Sequence, residues 1–512
     1  MTRRPRPPLA LLVPAAVAAL IALLPFVHLV DRALADGLGR VWDEVWQRRT
    51  LDLLARSTAL TVTVTVACVV IGTGAAWLVM RTDLPGRRVW RVALLLPLAV
   101  PSYLSAFAWV SWRPDLAGFT GAALVLTCTS YPYVMLPTMA ALARLDPAHD
   151  EVARSLGRGT WAVLRTVTLP QLRTSMSAGA LLVALYVLSD FGAVAAMRYE
   201  VFTWVIYGAY RAGFDPTRAA ILSSMLVMVA LALVLAEDRV RGAGTARVGA
   251  GTARAARSVP LGAGRWPAVV AVATVVGAAL AFPMWRIGVW SVSFDGADAV
   301  RRPLLAPLAT TVGLGLAAAA ITVLLAIPVG VLAARHRGLA VRAIERSTFV
   351  AHALPGIVVA ISLVFVGTRL LRSIYLETPL LLLGYVVLFL PLAVAAVRSS
   401  VEQSSVRAEE VARSLGDPAW KVALRVTAPA ALPGIAAGAA MVMLATMKEL
   451  PVTLVLRPTG TDTLATMLWR FTSVSDYGDA APYALGLVLF AALPTAVLTA
   501  QHARDHDRRS TT

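Results

Sequence analysis

Apolar stretches of about twenty residues recur along almost the whole chain, and no other feature limits its fold so tightly. A helix needs about 20 apolar residues to cross the hydrocarbon core of a bilayer. Inside lipid, every backbone N–H and C=O must also be satisfied by the chain itself. On that basis the sequence predicts an all-α integral membrane protein with about twelve spans. The first six lie at 9–31, 57–80, 91–112, 119–142, 174–196 and 217–236. The second six lie at 266–290, 305–334, 347–368, 378–397, 432–455 and 481–501. Only 15% of the residues are charged, where a soluble domain carries about a quarter.

A formal charge of +18 would suggest nucleic acid in a soluble protein. Here the arginines sit in short loops between spans, which excludes that class and makes the lipid bilayer the expected partner. Arg81, Arg87, Arg88 and Arg91 occupy one loop, Arg144, Arg154, Arg158, Arg165 and Arg173 the next in the set. Arg335, Arg337, Arg342 and Arg346 follow, then Arg407, Arg413, Lys421 and Arg425. These are alternate loops. The positive-inside pattern therefore places them, the 237–265 segment and both termini in the cytoplasm of a prokaryotic cell. Arg198, Arg301 and Arg302 are exceptions on the opposite side. Arg3, Arg4 and Arg6 before an apolar run resemble a signal peptide, but the run from Leu9 to Val30 exceeds the usual 7–15 residues. It is read as a retained first span. Cys68 and Cys128, both within apolar runs, read as small buried hydrophobes.

Residues 237–265 are rich in Gly, Ala and Arg without helical periodicity, as a flexible linker would be. They separate a first transmembrane domain, 1–236, from a second, 266–512. The two halves repeat each other. Glu151-Val-Ala-Arg-Ser-Leu-Gly157 recurs unchanged as Glu410-Val-Ala-Arg-Ser-Leu-Gly416, an offset of 259. The same offset pairs Trp161 with Trp420, Thr168 with Thr427, Pro170 with Pro429 and Gly179 with Gly438. Upstream an offset of 254 pairs Arg81 with Arg335 and Pro101 with Pro355. Six spans per half give the repeats one orientation, an arrangement that builds a pathway at the interface between halves.

The repeated loops, 146–173 and 402–432, read as a helix, a glycine break, a second short helix and a proline, Pro170 or Pro429, that interrupts the chain before the next span. Gly157 and Gly416 can take the positive φ that ends a helix. These loops resemble the EAA motif of permeases in ABC importers, and nearly the whole chain resembles the type I importer fold. Glu151, Ala153, Gly157, Leu169 and Pro170 match the motif position by position, as do Glu410, Ala412, Gly416 and Pro429. Val152 and Val411 replace its first alanine, and Ala428 replaces the leucine. More narrowly, the stretches from Ser189 to Val194, Lys448 to Leu454, and Leu456-Arg457-Pro458 with Thr461 to Ala465 resemble fused two-domain ferric-iron permeases. Thiamine and phosphonate permeases share much of this pattern.

The resemblance implies a separate ABC ATPase, as a homodimer docking on both loops, and an extracytoplasmic solute-binding protein. No cofactor is expected in this chain; ATP and Mg would be held by the ATPase. The residues agree, because the two lysines, Lys421 and Lys448, form no Gly-Lys-Ser/Thr P-loop. The chain is thus expected to be no enzyme itself, to carry no catalytic residue and no certain metal site. Alternating access driven by that ATPase is the implied mechanism. Asp190-Phe-Gly and Gly313-Leu-Gly-Leu-Ala-Ala318 mimic kinase and dinucleotide motifs without the context either needs. The rival class is a proton-coupled secondary transporter, also built from parallel six-span repeats.

The offset of 259 also aligns Asp190 with Glu449. Carboxylates within a membrane are costly and commonly face a cavity. The two either line the substrate pathway, where oxygen ligands suit a hard cation, or cap helix ends beside Gly192 and Pro451.

Overall fold

A computed structural model describes residues 8–146, 148–211, 215–242, 258–292, 304–351 and 354–491. Arg3, Arg4, Arg6, Arg301, Arg302, most of the linker and the end of the span expected at 481–501 lie outside the described residues. Among those described, every regular element is helical, and the one β feature is an isolated parallel bridge between Thr82 and Val259.

Nine described helices are long and apolar enough to cross a membrane: Leu9–Leu34, Arg48–Arg81, Phe119–Arg144, Thr160–Ser189, Pro216–Glu237, Gly262–Val292, Leu305–Arg335, Thr378–Gln403 and Ala419–Lys448. The pair Arg87–Ala99 and Ser102–Trp112 makes a tenth, bent by 93°. Residues 477–491 are helical where the last span is expected.

The departures from twelve straight spans have physical causes. The run at 91–112 is broken at Pro101, which sits in extended backbone (φ −61°, ψ 142°) before Ser102–Trp112. Pro355 does the same (φ −59°, ψ 146°) before the short helix Gly356–Arg369. Proline has no N–H to give and forces the preceding residue out of the helical region. The spans expected at 174–196 and 432–455 instead begin earlier, at Thr160 and Ala419, and stop at Ser189 and Lys448.

The described residues fall into two compact units. One comprises 44–205 and 225–293 and carries the loop 146–173. The other comprises 1–43, 206–224 and 294–512 and carries the loop 402–432. Each includes the first long helix of the other half of the sequence, Gly262–Val292 in the former and Leu9–Leu34 in the latter. Leu9–Leu34 packs on Leu305–Arg335, Leu339–Ala351 and Gly356–Arg369, with the His28 ring 5.0 Å from Phe365. In the other unit Phe282–Val292 packs on Ser102–Trp112. There Phe282 stacks 4.0 Å from Trp109, and Arg286 donates to Ser111 Oγ at 3.2 Å. Hydropathy alone gives no sign of this exchange.

The end of the linker segment is tied down. Val259 N–H donates to Arg81 O at 2.8 Å, Asp83 N–H to Val259 O at 3.2 Å, and Leu261 N–H to Asp83 Oδ1 at 2.8 Å.

In each unit the helix after the loop crosses the helix before it at a repeated glycine. A Cβ on Gly179 would stand 2.7 Å from Val134 Cα, and one on Gly438 2.6 Å from Ala396 Cβ. Without a hydrophobic force between helices in lipid, close approach at small residues supplies much of the packing. Gly179→Val should therefore lower the thermal midpoint of the detergent-solubilised protein and its inserted amount, at a cost of about 1–3 kcal/mol from overpacking. Gly74→Val, where no atom lies within 4 Å of an added Cβ, should leave both unchanged.

Candidate functional site

Both repeated loops fold alike. Ala148–Ser155 and Val406–Ser414 are short helices, and each ends at a glycine in the left-handed region, Gly157 at φ +80° and Gly416 at φ +93°. Nothing lies within 4 Å of an added Cβ at either, so the backbone angle and not space calls for glycine. Arg158 N–H returns to Ala153 O at 3.2 Å, and Asp417 N–H to Ala412 O at 3.1 Å, closing each helix end.

The chain then turns into Thr160–Val163 or Ala419–Val422 and runs on into Leu169–Ser189 or Ala428–Lys448. The expected interruption at Pro170 and Pro429 is absent. A π-helical turn precedes each proline, Leu164–Thr168 and Ala423–Thr427, in which Leu169 N–H reaches Leu164 O and Ala428 N–H reaches Ala423 O. That extra residue carries the helix past a ring that cannot donate. Loop and span therefore form one continuous rod from residue 160 or 419.

Glu151 and Glu410 are exposed, as are the apolar side chains around them. Leu156 is 75% exposed and Leu415 81% exposed; Val152, Trp161, Val411, Trp420 and Leu424 are also exposed. Arg165 covers Trp161 from 4.8 Å, at the position where the second loop has Leu424. Ala153 is buried beneath the first helix and Ala412 half-buried beneath the second.

Sequence reasoning missed the acid one residue earlier. Glu409 is 6% exposed and accepts from Arg335 Nη2 at 2.6 Å and from Thr427 Oγ1 at 2.9 Å. Arg335 also donates to Ser404 Oγ at 2.5 Å. In the first loop Asp150 accepts from Thr168 Oγ1 at 3.3 Å, while Arg81 Nη2 donates to Leu142 O at 3.0 Å. Arg81, Asp150, Thr168 and Val259 line one cleft. The signal was present: an acid three residues before Ala153 and before Ala412 lies on the same helix face as that alanine.

Asp190 and Glu449 both sit at the break after the rod, with extended backbone (ψ 128° and 121°). Asp190 Oδ1 accepts from Ala193 N–H at 2.8 Å, and Glu449 Oε1 from Val452 N–H at 3.1 Å. Each backbone carbonyl accepts a threonine hydroxyl at 2.7 Å, from Thr203 and Thr453 respectively. Asp190 Oδ2 additionally accepts from Ser102 Oγ at 2.5 Å. Both carboxylates, one residue before the N-caps Phe191 and Leu450, thus perform the capping role by accepting from a first-turn N–H of the short helices Gly192–Ala196 and Pro451–Leu456. Among the described residues no group of three or more His, Cys, Asp or Glu side chains could hold a metal ion.

Each copy of the loop is joined to a membrane rod and presents an exposed apolar face. The family described as binding-protein-dependent transport system inner membrane component matches residues 55–240 and again 326–504. The chain belongs to that family. It is a multi-pass membrane permease, with the family's domain present twice in one chain. This sets aside the proton-coupled carrier. The permease is similar to the Fe(3+)-transport system permease protein FbpB 2 of Haemophilus influenzae, 33% identical over 498 residues, which covers 96% of this chain and 98% of that protein. It is also similar to sulfate permease 2 (chloroplastic) of Chlamydomonas reinhardtii, 26% identical over 255 residues, 46% of this chain and 69% of that protein. The sulfate transport system permease protein CysW of Escherichia coli is 24% identical over 196 residues, 35% of this chain and 67% of that protein.

Proposed function

We propose that this permease imports ferric iron, driven by a separate ABC ATPase that binds both loops and fed by an extracytoplasmic solute-binding protein. The observation that carries the substrate is the extent of similarity. The match to a ferric permease runs through both halves, whereas the sulfate permeases match less than half of the chain. The duplicated apolar loop faces support a homodimeric ATPase, since near-identical surfaces suit two copies of one partner. ATP and Mg belong to that partner. Both loops and both termini are cytoplasmic in this reading, because the loop arginines follow the positive-inside pattern.

Alternating access follows from the same parts. Closure of the ATPase dimer displaces both loops, and each continuous rod carries that displacement along the span that follows. Asp190 and Glu449 enter as residues that hold the far ends of the rods in shape. Their carboxylates are engaged in capping, which supports a part in shaping the pathway over one in ligating the ion. The two domains of the chain, 1–236 and 266–512, each supply one loop and one such break.

The test is radio-iron uptake by cells with and without the gene, with thiamine and sulfate uptake measured in parallel. Iron uptake alone should be lost, restored by the intact gene and reduced at least about tenfold by Glu151→Gln with Glu410→Gln, as for a contact worth more than 1.4 kcal/mol. Unchanged iron uptake with loss of thiamine or sulfate uptake would overturn the ferric assignment.

A further inference from the structure

The repeated Glu of each loop faces outward, so something else must fasten the loop to the membrane helices it is meant to move. In the second loop that fastening is one buried carboxylate. Glu409 lies on the loop helix Val406–Ser414, and its Oε1 accepts from two separate elements. Arg335, the last residue of the helix Leu305–Arg335, reaches it at 2.6 Å, and Thr427, in the π turn that begins the next span, reaches it at 2.9 Å. The same Arg335 Nη2 also donates to Ser404 Oγ at 2.5 Å. The end of one span, the loop helix and the start of another thus meet at a single oxygen. The apolar side chains of the loop, Leu415 and Trp420, are exposed elsewhere on it.

The first loop has the same residues one methylene short. Asp150 keeps the threonine bond, at 3.3 Å from Thr168, but Arg81 donates to the carbonyls of Leu142 and Leu145 at 3.0 and 3.5 Å. Arg81 O is also taken by Val259 N–H at 2.8 Å. A charge pair with one partner removed leaves the remaining charge buried and uncompensated, so it resists separation more than carbonyl bonds do. The two loops are therefore fastened unequally.

We propose that Glu409, with Arg335 and Thr427, is the positioning residue that couples the second loop to two membrane helices, and that the second loop transmits more of the ATPase's motion than the first. This rests on the permease–ATPase reading above. It is tested with the full chain and its ATPase in proteoliposomes, measuring iron uptake and ATP hydrolysis on the same preparation. Glu409→Gln keeps the size and the threonine bond but removes the charge pair. ATPase binding and hydrolysis should persist, while iron transported per ATP falls about tenfold; Asp150→Asn should lower that ratio much less. Exchange of the charges, Arg335→Glu with Glu409→Arg, should recover most of the loss, which a general loss of stability would not allow. Should Glu409→Gln fail to accumulate, Glu409→Asp, which shortens the acid to the length found in the first loop, is expected to give the same fall. An unchanged ratio in either Glu409 variant overturns the proposal. An unaltered chain that recruits no ATPase overturns the reading beneath it.

Discussion

Leu156→Asp combined with Leu415→Asp should strip the ATPase from the permease and bring iron uptake to the background of cells lacking the gene. Among the described residues both are in the most exposed group of large apolar side chains, at 75% and 81%, and both sit one residue before the left-handed glycine of their loop. Neither contributes to the interior, so the variant should insert and fold in normal amount. An exposed apolar cluster of this kind marks a site where a partner docks. A central apolar anchor at such a site is commonly worth about 2 kcal/mol or more on truncation. Replacing it with a carboxylate adds the cost of desolvating an unpaired charge. Two such losses on one dimeric partner give a fall of about three orders of magnitude in affinity, from about 4 kcal/mol at 1.4 kcal/mol per tenfold. Co-isolation of the ATPase on the tagged permease is the direct measurement. Retention of the ATPase by the double variant would show that these loop faces are not its seat, however the glutamates behave.

The loops were legible in the sequence because their constraint is chemical and local. A glycine needed for its positive φ and a small residue beneath a helix are fixed by residue type, so they recur at a constant offset. The membrane class was equally plain, since hydropathy needs no tertiary information. What could not be read was whatever depends on reach. Pro170 and Pro429 look like breaks until the π turns before them are seen, and a π turn has no residue signature in a run such as Leu164–Thr168. Asp150 and Glu409 differ by one methylene, which hides them in an identity match, yet only the longer acid accepts a hydrogen bond from its arginine. The exchange of first helices between units is invisible for another reason. Leu9–Leu34 and Gly262–Val292 are both apolar over most of their length, and apolar surface in lipid does not say which neighbour it will meet.

The caps at the far ends of the rods give the sharpest test of packing, because the two copies solve one problem with different residues. In the first copy Asp190 meets Ser102; in the second, Glu449 meets Gly356. Under the offset of 254, Ser102 and Gly356 are equivalent positions. A Cβ added to Gly356 would stand 2.7 Å from Glu449 Oε1, so the longer acid occupies the room that the missing side chain leaves. Asp190→Glu alone should therefore overpack against Ser102, whose hydroxyl already lies 2.5 Å from the carboxylate. The expected cost is about 1–3 kcal/mol. Asp190→Glu with Ser102→Gly should recover most of it, because the first site then reproduces the second. The reciprocal pair behaves alike. Gly356→Ser should destabilise, and Glu449→Asp should rescue it, while Glu449→Asp alone leaves a void and weakens the cap on Val452. Thermal midpoints of the six variants in detergent, read as two double-mutant cycles, should each show coupling of about 1 kcal/mol or more. Additive effects in both cycles would mean that the carboxylate and the facing residue do not share space. Coupling in both would fix the breaks as matched pairs, and would explain why an aspartate and a glutamate stand at equivalent positions of two otherwise similar rods.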